Sequence, residues 1–298
     1  MRRQQRRISA YGVCQDPSGA VLLTRAAGPA GPGTWLLPGG GIKHGEHPAD
    51  AVVRAVAAET GLAVEVVRVR DVAAEVLARP PGLEHTDAVI YDLAVTSGQL
   101  RPGAGGSADP ARWVSPADLP TLPLSGLAAY ALGLAPAPSH RVPPPAKRSP
   151  APPRRRRGQR FAVYGLVTDP ADRVLLTLIS DGYPGAGKWH LPGGGTDFGE
   201  QPVDALQREI IEESGQQARI GRPLEVTHRH HTTRRGPMGL AVDWHAVRAI
   251  YEVTVAEPTT PQVLDAGGST ADAGWFTREQ VRTLPLTDVA AGMLVPVV

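Results

Sequence analysis

The chain has 298 residues, 42% of them hydrophobic, with 31 basic and 29 acidic side chains and a formal charge of +2. That length favours two domains over one, and so small a net charge gives no argument for nucleic acid as a partner. Cys14 is the one cysteine, which excludes an internal disulfide and any paired-cysteine zinc or redox motif. The basic start MRRQQRRIS leads into no apolar segment of signal-peptide type, and no uncharged apolar run is long enough to span a bilayer; the expectation is a cytoplasmic protein with no membrane partner.

In chain order the sequence repeats itself. YGVCQDPSGAVLLT (11–24) returns as YGLVTDPADRVLLT (164–177), WLLPGGGIKHGE (35–46) as WHLPGGGTDFGE (189–200), and RWVSPADLPTLPL (112–124) as GWFTREQVRTLPL (274–286). The first two matches keep one common offset, whereas Trp113 and Trp275 lie further apart, so the second copy carries several extra residues between its central helix and its last strand. The repeat is too long for a solenoid unit and reads as a duplicated domain. The expected boundaries are a domain at 1–134, a linker at 135–159 and a domain at 160–298. The linker is rich in proline and ends in Arg154–Arg157, which suits an extended spacer; its charge run is either simply solvated or an electrostatic contact for an anionic partner.

Each copy opens with a strand, Ile8–Cys14 and Phe161–Thr168, followed by an Asp-Pro turn and an apolar strand, Val21–Thr24 and Val174–Ile179. A glycine-rich loop then leads into a helix. Pro48 and Pro202 suit its first turn, and Gly61 and Gly215 its C-terminal cap. Longer strands follow over Val64–Val76 and Thr86–Val95 and over Ala218–Thr227 and Ala241–Val255, with a short strand at Trp113 or Trp275 and a closing helix. The second-copy segment from His228 to Gly236 is expected to form a basic, imidazole-rich hairpin tip. Mixed strands with helices on them imply an α/β sandwich.

The stretch that carries chemistry is GGTDFGEQPVDALQREIIEESG (194–215). Glu209, Glu212 and Glu213 stand at i, i+3 and i+4, so a helix projects all three from one face. Three carboxylates so close repel one another unless a cation lies among them, and hard oxygen donors on a rigid helix suit Mg²⁺ or Mn²⁺.

Gly194, five residues, Glu200, seven residues and then Arg208-Glu209-Ile210-Ile211-Glu212-Glu213-Ser214-Gly215 resembles the Nudix box, with Gln216 where the family prefers an apolar residue. The resemblance implies two α/β/α sandwiches with mixed sheets, joined by the linker, and hydrolysis of a diphosphate linked to another moiety. It implies that Glu209, Glu212, Glu213 and the carbonyl of Gly193 hold divalent ions that neutralise the diphosphate and activate water. It makes Glu209, Arg208 and Glu213 the catalytic candidates, with Glu209 either a ligand or the group that deprotonates water and Arg208 orienting the carboxylates. Glu225, Glu252, His228, His230 and His231 stay open as alternative bases. Gly194, Gly195, His230 and Arg234 are candidate substrate contacts, and Trp244, Trp189 and Tyr183 candidate base stackers. The first copy keeps the framework but has Ala55 and Ala58 where the second has Glu209 and Glu212, leaving Glu59 alone. It is therefore expected to fold and to be catalytically silent, serving in substrate binding, dimerisation or regulation.

The expected activity is a Mg²⁺-dependent pyrophosphohydrolase for a nucleoside di- or triphosphate or a nucleotide derivative, with chemistry in the second domain. The absence of proline at His230–Thr233 weakens an ADP-ribose assignment within the resemblance. Two alternatives stand beside it: a hydrolase of a prenyl diphosphate, and a tandem binding or regulatory protein without turnover. The expected partner is a small-molecule diphosphate, together with either a homodimer or a pairing of the two domains within the chain.

Overall fold

The computed structural model describes residues 3–26, 33–79, 81–101, 111–138, 157–233, 242–265 and 267–294. The chain forms two compact bodies. One comprises 1–161, 197–201 and 225–247; the other comprises 162–196, 202–224 and 248–298.

In the first body, β1 (Arg3–Cys14) runs antiparallel to β4 (Gly39–Gly41) and parallel to β6 (Gly82–Gly98), which pairs antiparallel with β5 (Leu62–Arg79). A smaller sheet sets β2 (Val21–Arg25) between β3 (Trp35–Leu36) and β7 (Arg112–Val114). Neighbouring residues of β1 point to opposite faces, which is how the layers separate. Gly12 faces helix α1 (Pro48–Thr60): a Cβ there would meet Leu93 and come within 3.5 Å of Val52. Tyr11 and Val13 face the other way, into a cluster with Val21, Leu23, Trp35, Ile90 and, from helix α2 (Gly126–Ala131), Ala128 and Ala131. Helix, sheet and helix therefore stack as the sequence implied.

The second repeat follows the same plan. Its sheet runs β10 (Trp189–His190), β9 (Val174–Ile179), β8 (Arg157–Thr168), β13 (Val242–Thr254), β12 (Arg219–Thr233), with β11 (Gly193–Gly195) on β8 and β14 (Thr270–Phe276) on β9. Gly165 takes the place of Gly12: a Cβ there would lie 3.6 Å from Ile210 of helix α3 (Pro202–Ser214). Tyr164 and Leu166 face a cluster built on Val174, Leu176, Leu191, Ile250 and, after the short helix α4 (Arg278–Val281), Ala290 of helix α5 (Asp288–Leu294). The same single parallel bridge closes both copies, Trp35 to Leu124 and Trp189 to Leu286.

Both central helices begin at proline and end at a left-handed glycine, Gly61 at φ 79° and Gly215 at φ 69°. Two expectations change. The strand β8 starts at Arg157, so it takes in the last residues of the expected linker, of which 139–156 lie outside the described residues. The His228–Gly236 segment is strand rather than hairpin tip as far as Thr233, because β12 continues to pair alongside β13; residues 234–236 lie outside the described residues. Among the described residues no helix is long and apolar enough to cross a membrane.

A half-buried ion pair ties β1 to β6 in the first body. Asp87 is fully buried and accepts from Arg6 Nε at 2.9 Å and Arg6 Nη2 at 3.1 Å. His85, also fully buried, accepts the Gly199 N–H on Nδ1 at 2.7 Å, which leaves its Nε2–H to donate to Asp87 at 3.1 Å. Burial alone would push the Asp87 carboxyl up, yet the His85 hydrogen bond and the Arg6 charge and hydrogen bonds together hold it below its ordinary value. A depressed carboxyl contributes stability that is complete above its unfolded value, about 3.9, and that disappears as pH falls through the folded value. Asp87→Ala should therefore cost about 2 kcal/mol at neutral pH, since it leaves the buried His85 ring without its carboxylate partner and removes the charged acceptor of Arg6. It should also flatten the loss of stability below about pH 4. Denaturant melts from pH 3 to pH 7 measure both effects; an unchanged acid limb would refute the assignment.

Candidate active site

The glycine strands β4 and β11 are where the fold meets the chemistry. Gly193 lies at φ 139°, and a Cβ on it would fall 2.1 Å from the Val163 carbonyl; Gly39 repeats this at φ 146° and 2.3 Å from the Ala10 carbonyl. Only glycine fits so close against the neighbouring strand. The N–H of each is taken by the last glutamate of the following helix: Gly193 donates to Glu213 Oε2 at 2.9 Å and Gly39 to Glu59 Oε2 at 3.0 Å. Burial pushes both carboxyls up to about 7. For Glu213, hydrogen bonds from Thr270 and Gly193 work against that rise, while the charges of Glu209 and Glu212 add to it.

One residue on, the copies part. A Cβ on Gly194 would come within 2.6 Å of the Glu209 carboxyl, so the absent side chain is the space that carboxyl occupies. The matching Gly40 has nothing within 4 Å of the same position, because Ala55 replaces Glu209.

Glu209, Glu212 and Glu213 line one small open cavity in the second body, with Val263, Asp265, Gly268, Ser269 and Thr270 as its other wall. Arg208 reaches across the carboxylates: Nη1 donates to Glu209 Oε1 at 2.9 Å and to Glu212 Oε2 at 3.2 Å, and Nη2 donates to the Gly195 carbonyl at 3.2 Å. Thr270 donates its hydroxyl to Glu213 Oε1 at 2.6 Å. The opposing wall is fastened to the end of α3: the amides of Leu264 and Asp265 both donate to the Glu212 carbonyl, at 2.8 and 3.1 Å. Such a donor set, three crowded carboxylates with a guanidinium between two of them, fits a hard divalent cation. In the first repeat Arg54 forks onto Glu46, at 2.6 and 2.8 Å, and reaches the Gly41 carbonyl at 3.2 Å.

The structure thus brings together Arg208, Glu209, Glu212, Glu213, Gly193, Gly194 and Gly195. It places His230 in the first body, beside Asp243; Arg234 lies outside the described residues. Glu200 accepts from the Asp197 N–H at 2.7 Å, securing its own turn. Glu252 is more than half exposed and pairs loosely with Arg222 at 3.8 Å. Trp189 packs edge-on to Phe276 inside the core, and Tyr183 is exposed. Asp265 and Thr270 were not singled out by the sequence. Their one signal is the extra length of the second copy ahead of Trp275.

The NUDIX domain profile matches both repeats, at residues 5–132 and 158–294. The chain belongs to the Nudix family, as a tandem of two such domains. It is 31% identical over 146 residues to a nucleoside triphosphatase NudI of Enterobacter sp. (strain 638), an alignment covering 44% of this chain and 90% of that protein. Among solved structures it is similar to a MutT Nudix hydrolase from Burkholderia pseudomallei, at 25% identity and TM-score 0.35 over 47% of this chain and 99% of that one. It is also similar to a MutT protein from Methanosarcina mazei Go1, at 18% identity and TM-score 0.35 over 44% and 86%. Family and relatives support a hydrolase.

The two glycines give a direct comparison. Gly194→Ala pushes only the far end of a flexible side chain, so it should melt within a few degrees of the parent while displacing Glu209 and lowering hydrolysis at least about tenfold. Gly40→Ala should change neither. Melting curves and initial rates for the pair test this, and equal rates for both variants would refute it.

Proposed function

We propose that the chain is a Mg²⁺-dependent pyrophosphohydrolase acting on a nucleoside di- or triphosphate or a related nucleotide, with its chemistry in the 160–298 domain. In this reading the 1–134 domain is catalytically silent and the stretch from 135 to the start of β8 at Arg157 is a spacer. The observation that carries the reading is the contrast at one position: Gly194 makes room for a carboxyl beside two others, and Gly40 faces an alanine. A nucleoside triphosphatase among the relatives supports the substrate class.

Glu209, Glu212, Glu213 and the Gly193 carbonyl would hold the cation. Bound there, the cation supplies charge neutralisation for the diphosphate and a more acidic water. Arg208 aims Glu209 and Glu212 by donating to both from one nitrogen. Glu213 is fixed at both oxygens, by the Gly193 N–H and by the Thr270 hydroxyl, so it cannot swing away when its neighbours move. Glu209 takes the proton of the attacking water at its carboxylate. Asp265 adds a fourth carboxylate on the facing wall. Across the family the chemistry uses divalent metals; an all-oxygen donor set suits Mg²⁺, with Mn²⁺ as the alternative.

Phosphate or pyrophosphate release from a panel of nucleoside di- and triphosphates, nucleotide derivatives and prenyl diphosphates, with and without Mg²⁺, decides the matter. Turnover of a nucleotide that requires Mg²⁺ is expected. Turnover of prenyl diphosphates alone would move the substrate class, and no turnover of any diphosphate by the full chain would overturn the enzymatic reading. Glu209→Gln and Glu212→Gln should each lower kcat by about 10²-fold or more. Glu59→Gln should leave kcat nearly unchanged, since Gln still accepts the Gly39 N–H; a large loss there would place chemistry in the first domain.

A further inference from the structure

Five of the nine histidines of the chain gather in the first body, apart from the glutamates of α3. Asp243 on β13 is at the centre. Its Oδ1 lies 2.6 Å from His44 Nε2 and 2.7 Å from His230 Nε2. The three donor atoms all fall within 4.8 Å of one another. The rings of His44 and His230 meet edge to face with centroids 5.0 Å apart.

We propose that His44, His230 and Asp243 form a binding site for a borderline divalent transition ion of the zinc class, distinct in donor type from the glutamate helix. Two imidazole nitrogens and one carboxylate oxygen suit Zn²⁺, Co²⁺ or Ni²⁺ and disfavour Mg²⁺. Three protein donors leave a fourth position for water or another ligand. In a tetrahedral zinc site with bonds of about 2.0 Å, donor atoms stand about 3.3 Å apart. Each of the two hydrogen-bonded separations therefore has to open by only roughly 0.6 Å for an ion to replace the shared protons.

The surroundings are built for this arrangement. His230 and Asp243 come from adjacent strands of one sheet, which fixes their backbones. His44 comes from the turn after β4, and the next residue, Gly45, is at φ 83°. A Cβ on Gly45 would fall 2.8 Å from His230 Nδ1, so glycine is what lets that ring come up to the turn. Behind them His245 is fully buried, with its ring 5.6 Å from His44 and 6.2 Å from His230. It is held by the Gln159 amide at 3.0 Å and by His228 at 3.3 Å. His47 completes the group against His228 while its own Nδ1 caps α1. A metal here would fasten the turn ahead of α1 to the β12–β13 pair, closing a very long stretch of chain.

The test is Zn²⁺ binding to the full chain, stripped of metal by chelator and then dialysed against Zn²⁺ in millimolar Mg²⁺. One Zn²⁺ per chain is expected. His44→Gln and Asp243→Asn should each weaken it at least about tenfold, and a Glu209→Gln/Glu212→Gln double variant should bind as the parent does. Co²⁺ in place of Zn²⁺ gives a readout on the parent alone, which stands even if a variant fails to fold: the intense visible bands of a four-coordinate site support the proposal. Faint six-coordinate bands, no Zn²⁺ retained against Mg²⁺, or equal retention by folded His44 and Asp243 variants would overturn it and leave the three residues as a hydrogen-bonded clasp.

Discussion

Both halves of this chain depend on one hydrogen bond, from the N–H of a glycine strand to a buried glutamate on the helix that follows. The bond from Gly193 to Glu213, like that from Gly39 to Glu59, fixes a three-residue strand whose first glycine presses against its neighbour too closely for any side chain. A buried carboxylate without a partner would be costly, and the strand amide supplies that partner. The helix thereby acquires a fixed register against the loop, on which everything built from its other positions relies. This explains why Glu59 persists in a helix that has alanine at both remaining positions. It serves the fold first, whether or not a metal is ever bound.

The carboxylate cluster of the second repeat is laid over that frame by few changes. Glu209 and Glu212 need the room beside Gly194, the arginine between them, and a facing wall that ends on Asp265 and Thr270. The first repeat keeps the arginine, which forks onto Glu46 and reaches the Gly41 carbonyl as Arg208 reaches that of Gly195. One frame can thus hold either a crowded carboxylate group or a quiet surface. The helix itself is no less stable for the loss, since alanine is the best helix former.

Most of the fold was legible because its signals are local and stated twice. Proline at the start of each central helix, glycine at its end, and Asp-Pro turns between apolar strands each act within a few residues, and the repeat shows them again in register. The glutamate trio was legible for the same reason, being one face of one helix. The far wall was not: Asp265 and Thr270 reach the cavity only because the 262–265 segment hydrogen-bonds to the end of α3, a tertiary event with no local pattern. The histidine group was hidden more deeply. Its members come from a turn, two strands and the start of a helix, and the sequence showed only the His228–His231 part, which looked like a loop. Imidazoles break no strand when their ring nitrogens find partners, so the strand ran on through them.

The two clusters also differ in a way that argues for separate duties. Around α3 the donors are all oxygen, the carboxylates repel one another, and the cavity between them and the 263–270 wall is open. Such a donor set suits a hydrated hard ion. Around Asp243 the donors are mostly nitrogen, each already satisfied by a neighbour, with a fully buried histidine behind them. In such a site an ion would replace the protons that the imidazoles now share with Asp243 and hold the turn after β4 to the β12–β13 pair. The donor types differ accordingly: imidazole with a carboxylate suits ions of the zinc class, and an all-carboxylate set suits hard ions.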